Sequence, residues 1–214
     1  MNVKNFKVFI SCILVFCMFF VMTGCVPKEY EVPDATGYNY NDGLIALDYD
    51  EDHFEVNEWF NFGDDVCVSS VMEKAEKFVV SASQIELLHI SNVEYDEETL
   101  EVGVYEIFDT YIGDTKDYDF EDSLIEEVPG CLIYSVNTDS EVDSVSLKAW
   151  LHNNTLTVAT ERIPKDEDML EIHEYDSELK GIFNNILYLG GTIDSKYLMS
   201  FEDEDNEDIV SLDK

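Results

Sequence analysis

Three aspartates at alternate positions, Asp48, Asp50 and Asp52, come nearest in this chain to a metal-binding pattern. They reproduce the D-x-D-x-D opening of a calcium loop. Such a loop also needs glycine at its sixth position and a bidentate acid at its twelfth. His53 and Trp59 stand there instead, so the pattern supports only irregular divalent binding at a hairpin tip. Asp203-x-Asp205-x-Glu207 fails in the same way, with Asp208 and Lys214 at the two diagnostic positions. His53, His89, His152 and His173 are scattered, with none of the spacings that hold zinc. No serine lies in a G-x-S-x-G elbow, and Gly190-Gly191 is too short to cradle a phosphate. No cofactor is expected. Carboxylates are so numerous that a glycosidase-like pair stays open as an alternative, with no particular pair singled out. Cys67 and Cys131 sit in apolar contexts and have two readings: one disulfide closing a long loop, or two small buried hydrophobes.

The strongest signal lies at the start of the chain. Lys4 and Lys7 precede an apolar run from Val8 to Met22, interrupted only by Ser11, Cys12 and Cys17. That run has the length of a signal-peptide core and is shorter than the roughly 20 residues of a spanning helix. Met22-Thr23-Gly24-Cys25 follows and resembles the lipobox of bacterial lipoproteins, with Met22 where leucine is usual. The resemblance implies a signal peptide over 1–24 and lipid (palmitate-type acyl chains) on Cys25. It places the rest of the protein on the extracytoplasmic side of the cell membrane. Two or three acyl chains suffice for stable anchoring, whereas one holds only marginally. A plain transmembrane anchor, or a secretory signal cut elsewhere, is the alternative.

Charge narrows the partners. The chain holds 12 Lys and Arg against 48 Asp and Glu, a formal net charge of −36. Without Lys4 and Lys7 this becomes −38. Nucleic-acid binding needs clustered basic residues, so it is not expected, and flat docking on anionic headgroups is disfavoured. Aromatic content of 13% separates the chain from disordered acidic sequences.

Residues 25–41, with Pro27, Pro33 and Gly37, read as a lipidated N-terminus and flexible tether, and the domain is expected over 42–201. Strands are expected at Leu44–Tyr49, His53–Phe60 and Val66–Val68. Ser70-Val71-Met72-Glu73 has the form of a capping box and predicts a helix to about Ser81, followed by a strand from Ile85 to Val93. Leu100, Val104, Ile107, Phe108 and Tyr111 form one stripe of a helix over 96–112. A polar loop is expected from Asp114 to Pro129, then a strand at Cys131–Val136. A hairpin follows, Ser144–Leu151 with Thr155–Ile163, turning at His152-Asn153-Asn154. A last helix is expected from Asp176 to Leu189, and residues 202–214 read as a solvated acidic tail.

These elements describe an α+β fold: a single antiparallel-sheet domain with two to three helices, an α/β sandwich. The order of the 43–49 strand, the Phe54-Val56 strand, the hairpin from Leu147 to Thr160 and the helix carrying Ile182-Phe183 resembles the PsbP-like fold. Its Pro-Trp after the first strand is replaced here by Glu51-Asp52-His53-Phe54. That resemblance implies a binding or assembly module rather than an enzyme. The expected function is therefore a membrane-anchored binding or assembly module with an unknown protein, envelope or small-molecule partner. A carboxylate-based hydrolase and a cation-dependent envelope structural protein are the alternatives.

Overall fold

The structure, a computed structural model, describes residues 29–61, 65–74, 83–94, 96–111, 114–118, 120, 122–165 and 176–199. Cys25, the expected signal segment, His173 and the acidic tail lie outside the described residues.

One large antiparallel sheet organises the chain. Its strands are β3 (Phe54–Val56), β4 (Phe60–Asn61), β5 (Val66–Glu73), β6 (Gln84–Ile90), β7 (Leu124–Val128), β8 (Cys131–Asp139), β9 (Asp143–His152) and β10 (Thr155–Pro164). They lie in the order β3-β5-β6-β10-β9-β8-β7, with β4 also on β5. A smaller sheet joins β1 (Tyr40–Asn41), β2 (Ile45–Leu47) and β11 (Leu187–Tyr188) in the order β1-β2-β11. The described helices are α1 (Glu97–Tyr111) and α2 (Asp176–Asn184). This is the mixed, mainly antiparallel α+β class that the pattern of strands and helices predicted.

Alternation along the strands gives the large sheet two buried faces. On one face Phe54, Val71, Ile85, Leu87, Ala159 and Trp150 pack with α2 and the small sheet. On the other, Tyr134, Val136, Leu147, Leu151 and Val158 pack against the stripe of α1 formed by Leu100, Val104, Ile107 and Phe108. A reciprocal cap starts α1: Thr99 N donates to Asp96 Oδ1 at 2.9 Å, and Asp96 N donates to Thr99 Oγ1 at 3.0 Å.

The β9–β10 hairpin turns at Asn153 (φ 51°) and Asn154 (φ 60°), the left-handed pair a two-residue hairpin loop requires. Several boundaries differ from expectation. Ser70 to Glu73 are strand, not the start of a helix, and 75–82 lie outside the described residues. Val71 is fully buried opposite Ile85, and the Ser70 hydroxyl accepts from Asn57 Nδ2 rather than capping a helix. Sheet pairing on both sides of β5 overrides the local signal. The stretch 114–129 is not all loop. β7 pairs with β8 across Pro129-Gly130, and Gly130 takes the positive φ (77°) that the third residue of a type II turn needs. α2 ends at Asn184, because Leu187 and Tyr188 pair with β2 and the Tyr188 ring stacks on Trp150 at 5.4 Å.

Within the described part of the expected tether, residues 29–41, most side chains are exposed, and Tyr30 and Tyr40 make the contacts with the domain. Tyr30 Oη donates to the Tyr188 carbonyl at 2.9 Å, and Tyr40, 7% exposed, pairs with Leu47 in β1–β2.

Candidate binding site

α1 covers only part of its face of the large sheet. Beyond Ile107, over β5, β6 and β10, lies a groove of about 620 Å³. Its apolar walls include Phe60, Val68, Leu88, Ile107, Val158 and Met199. Its floor has a different chemistry. Gln84 and Glu86 alternate with the inward-facing Ile85 and Leu87, so they project on the α1 side of β6. Ser70 on β5 and Thr160 on β10 flank Glu86 as its direct cross-strand partners.

A carboxyl group therefore sits amid apolar surface with three polar neighbours. Gln84 Nε2 donates to Glu86 Oε1 at 2.7 Å. Burial pushes the Glu86 pKa up, and Arg162 and the Gln84 bond pull only partly against it. Asn57, at the rim, donates through Nδ2 to Ser70 Oγ at 2.7 Å. Glu58 also lines the groove, so its described charges are both acidic.

Two buried aspartates hold the walls. Asp42, wholly buried, accepts the backbone N–H groups of Leu44 and Ile45 through Oδ1, both at 2.8 Å. Its Oδ2 accepts Trp59 Nε1 at 2.6 Å and Tyr40 Oη at 3.0 Å. Trp59 precedes the groove residue Phe60, and its carbonyl accepts Met199 N at 2.9 Å. Asp143, 1% exposed, supports the opposite side: it accepts from Tyr118 Oη at 2.8 Å, Ser140 Oγ at 2.7 Å and Arg162 Nε. Burial alone would raise its pKa. The Ser140, Tyr118 and Arg162 contacts outweigh that and hold the carboxyl below its usual range. Tyr118 packs edge-on against Phe108 at 4.8 Å, which ties α1 and its groove residue Ile107 to the sheet.

The residues singled out from sequence lie elsewhere. Asp48, Asp50 and Asp52 occupy the β2–β3 turn, where Asp50 Oδ1 accepts Asp52 N at 2.9 Å as an ordinary Asx-turn. Among the described residues, no three His, Cys, Asp or Glu side chains are grouped to hold a metal ion. Asp48 and Asp50 instead line a shallow depression of about 820 Å³ beside α2. There His53 Nδ1 lies 3.2 Å from Glu178 Oε2 and 3.7 Å from Asp50 Oδ2.

Cys67 and Cys131 are free thiols. Both face the α2 side, but β6, β10 and β9 separate their strands. At the usual strand spacing that is roughly 20 Å, against the ~7 Å limit between Cα atoms of a bridge. The disulfide reading is corrected: these are small apolar side chains, and burial pushes the Cys131 thiol up to about 11. His89 bonds Thr157 Oγ1 at 3.0 Å, and His152 packs against Tyr30 at 5.3 Å. Trp59 and Trp150 are core residues.

Glu86, Asp42 and Asp143 were not singled out from the sequence. Glu86 carried one signal, an acid at an alternating position between Ile85 and Leu87 in a predicted strand. No protein-family model and no curated protein matches the chain.

Proposed function

We propose that this protein is a lipid-anchored, extracytoplasmic binding module that takes a small, largely apolar ligand into the groove between α1 and strands β5, β6 and β10. The groove itself carries the reading. Its volume falls within the several-hundred-Å³ range of small-molecule sites, and it combines apolar walls with a few convergent polar groups. The lipobox-like Met22-Thr23-Gly24-Cys25 supports membrane attachment, and the likeness to PsbP-like modules points toward binding rather than catalysis.

The test uses the full chain in phosphatidylcholine nanodiscs, with ¹³C-labelled methionine methyl groups and n-octanol as an uncharged apolar probe. Empty nanodiscs supply the partitioning reference. A saturable shift of the Met199 methyl signal is the expected result, since Met199 lines the groove. If octanol and larger uncharged probes leave that signal unmoved, the reading fails.

A further inference from the structure

We infer that the groove selects a ligand carrying one protonated amine on an apolar body, with Glu86 as the anchor for the cation. This deepens the binding-module reading and rests on it. The argument starts from charge complementarity. Glu58 and Glu86 line the groove, and no Lys or Arg is among its described lining residues. The nearest guanidinium, Arg162, is engaged by Asp143 through Nε. The chain as a whole carries −36, so its long-range field also concentrates cations.

Hydrogen-bonding capacity points the same way. An ammonium group has three donors and no acceptor. Gln84 uses Nε2 on Glu86 and Asn57 uses Nδ2 on Ser70, so the two amide carbonyl oxygens remain as acceptors on residues that line the groove with Glu86. Three acceptors are thus offered, two from β6 and one from the rim. A carboxylate amid apolar surface is costly unless paired, and a bound cation removes that cost while its apolar body covers Val68, Leu88 and Val158. An anionic ligand would meet two carboxylates, Glu58 and Glu86, offset only in part by Arg162, which is itself bonded to Asp143.

The experiment compares n-octylammonium, n-octanol and n-octanoate on the full chain in phosphatidylcholine nanodiscs at about 0.15 M salt, where long-range attraction is screened. Calorimetry reads affinity, and the Met199 methyl signal reports on the groove. Octylammonium is expected to bind at least about tenfold more tightly than octanol, the factor equivalent to 1.4 kcal/mol. Octanoate is expected to bind more weakly than both. Glu86→Gln should erase the advantage of octylammonium over octanol. As a check that needs no substitution, acidification through the Glu86 pKa should weaken octylammonium alone. Glu58 and Arg162 are the other charged groups near Glu86, so Glu58→Gln is run beside it and is expected to retain most of the preference. Equal binding of octylammonium and octanol, or a preference that survives Glu86→Gln, overturns the cation assignment and leaves the apolar groove standing. No shift at Met199 with any of the three probes removes both.

Discussion

Asparagine at position 42 tests how the fold holds the groove wall. Asp42 is wholly buried and serves four donors, with two backbone N–H groups on Oδ1 and the Trp59 indole and Tyr40 hydroxyl on Oδ2. In Asp42→Asn the amide oxygen can keep the backbone pair, but an NH2 then faces Trp59 Nε1–H, which can only donate. The Tyr40 hydroxyl can rotate to accept; the indole cannot. One charge-assisted bond worth about 1.5–3 kcal/mol is lost, and a buried indole N–H is left unpaired at about 1–3 kcal/mol. The variant should therefore be destabilised by about 3–5 kcal/mol. In a Trp59→Phe background the donor clash is absent, and the same change should cost only about 1–2 kcal/mol. Coupling of that size is what residues in direct contact show. Urea unfolding of the four proteins, followed by circular dichroism with the slope checked for constancy, gives the cycle. Additive costs in the two backgrounds, or an Asp42→Asn penalty below about 1 kcal/mol, would refute the account of Asp42 as the node joining the small sheet to Trp59.

The Glu178 hydrogen bond, with Asp50 assisting, raises the His53 pKa, so the folded state favours the protonated ring. Its contribution is full below the unfolded value of about 6.5 and is lost as pH rises through the folded pKa. His53→Gln should lower the melting midpoint at pH ~5.5 and leave it unchanged at pH ~9; equal effects at both would contradict the ion pair. Asp143 has the opposite sign, its folded pKa being lowered, so its contribution holds above about pH 4 and fades as pH falls through the folded value. Asp143→Asn should cost about 1–3 kcal/mol near neutrality, and its gap to wild type should close near pH ~2 in denaturant titrations. Because Cys67 and Cys131 are free, reductant should leave the melting midpoint in place, and maleimide should modify Cys131 slowly until the chain unfolds. Peptide mass mapping that finds the two joined would overturn this. Metabolic labelling with an alkynyl palmitate should tag the membrane-associated protein and miss Cys25→Ala; equal labelling of both would remove the proposed anchor.

Where information is local, the sequence suffices. The stripe of α1, its acidic first turn and the Asn153-Asn154 hairpin are legible because each depends on contacts a few residues apart, and the structure places them within a residue or two. Period-two runs between turn signals likewise specify a single antiparallel α+β domain. Pairing partners are not written locally. Ser70 to Glu73 offer a helix start and become strand because β3 and β6 complete their hydrogen bonds and bury Val71. Leu187 and Tyr188 leave their predicted helix for β2, more than 130 positions upstream. Tyr40, from the stretch read as a tether, joins the core and Tyr30 packs against it for the same reason.

The site shows the division most sharply. A glutamate between Ile85 and Leu87 reads from sequence as a solvated strand residue, one of 48 acids. Only the strand order, which sets Ser70 and Thr160 beside it, and the reach of α1, which stops short above it, make that face a groove. The same strand order separates Cys67 from Cys131. Sequence by itself determined the period and polarity of each segment, since these act over a few residues. Which faces meet, and which acid is caught between them, depends on contacts between residues far apart in the chain, and those only the tertiary structure decided.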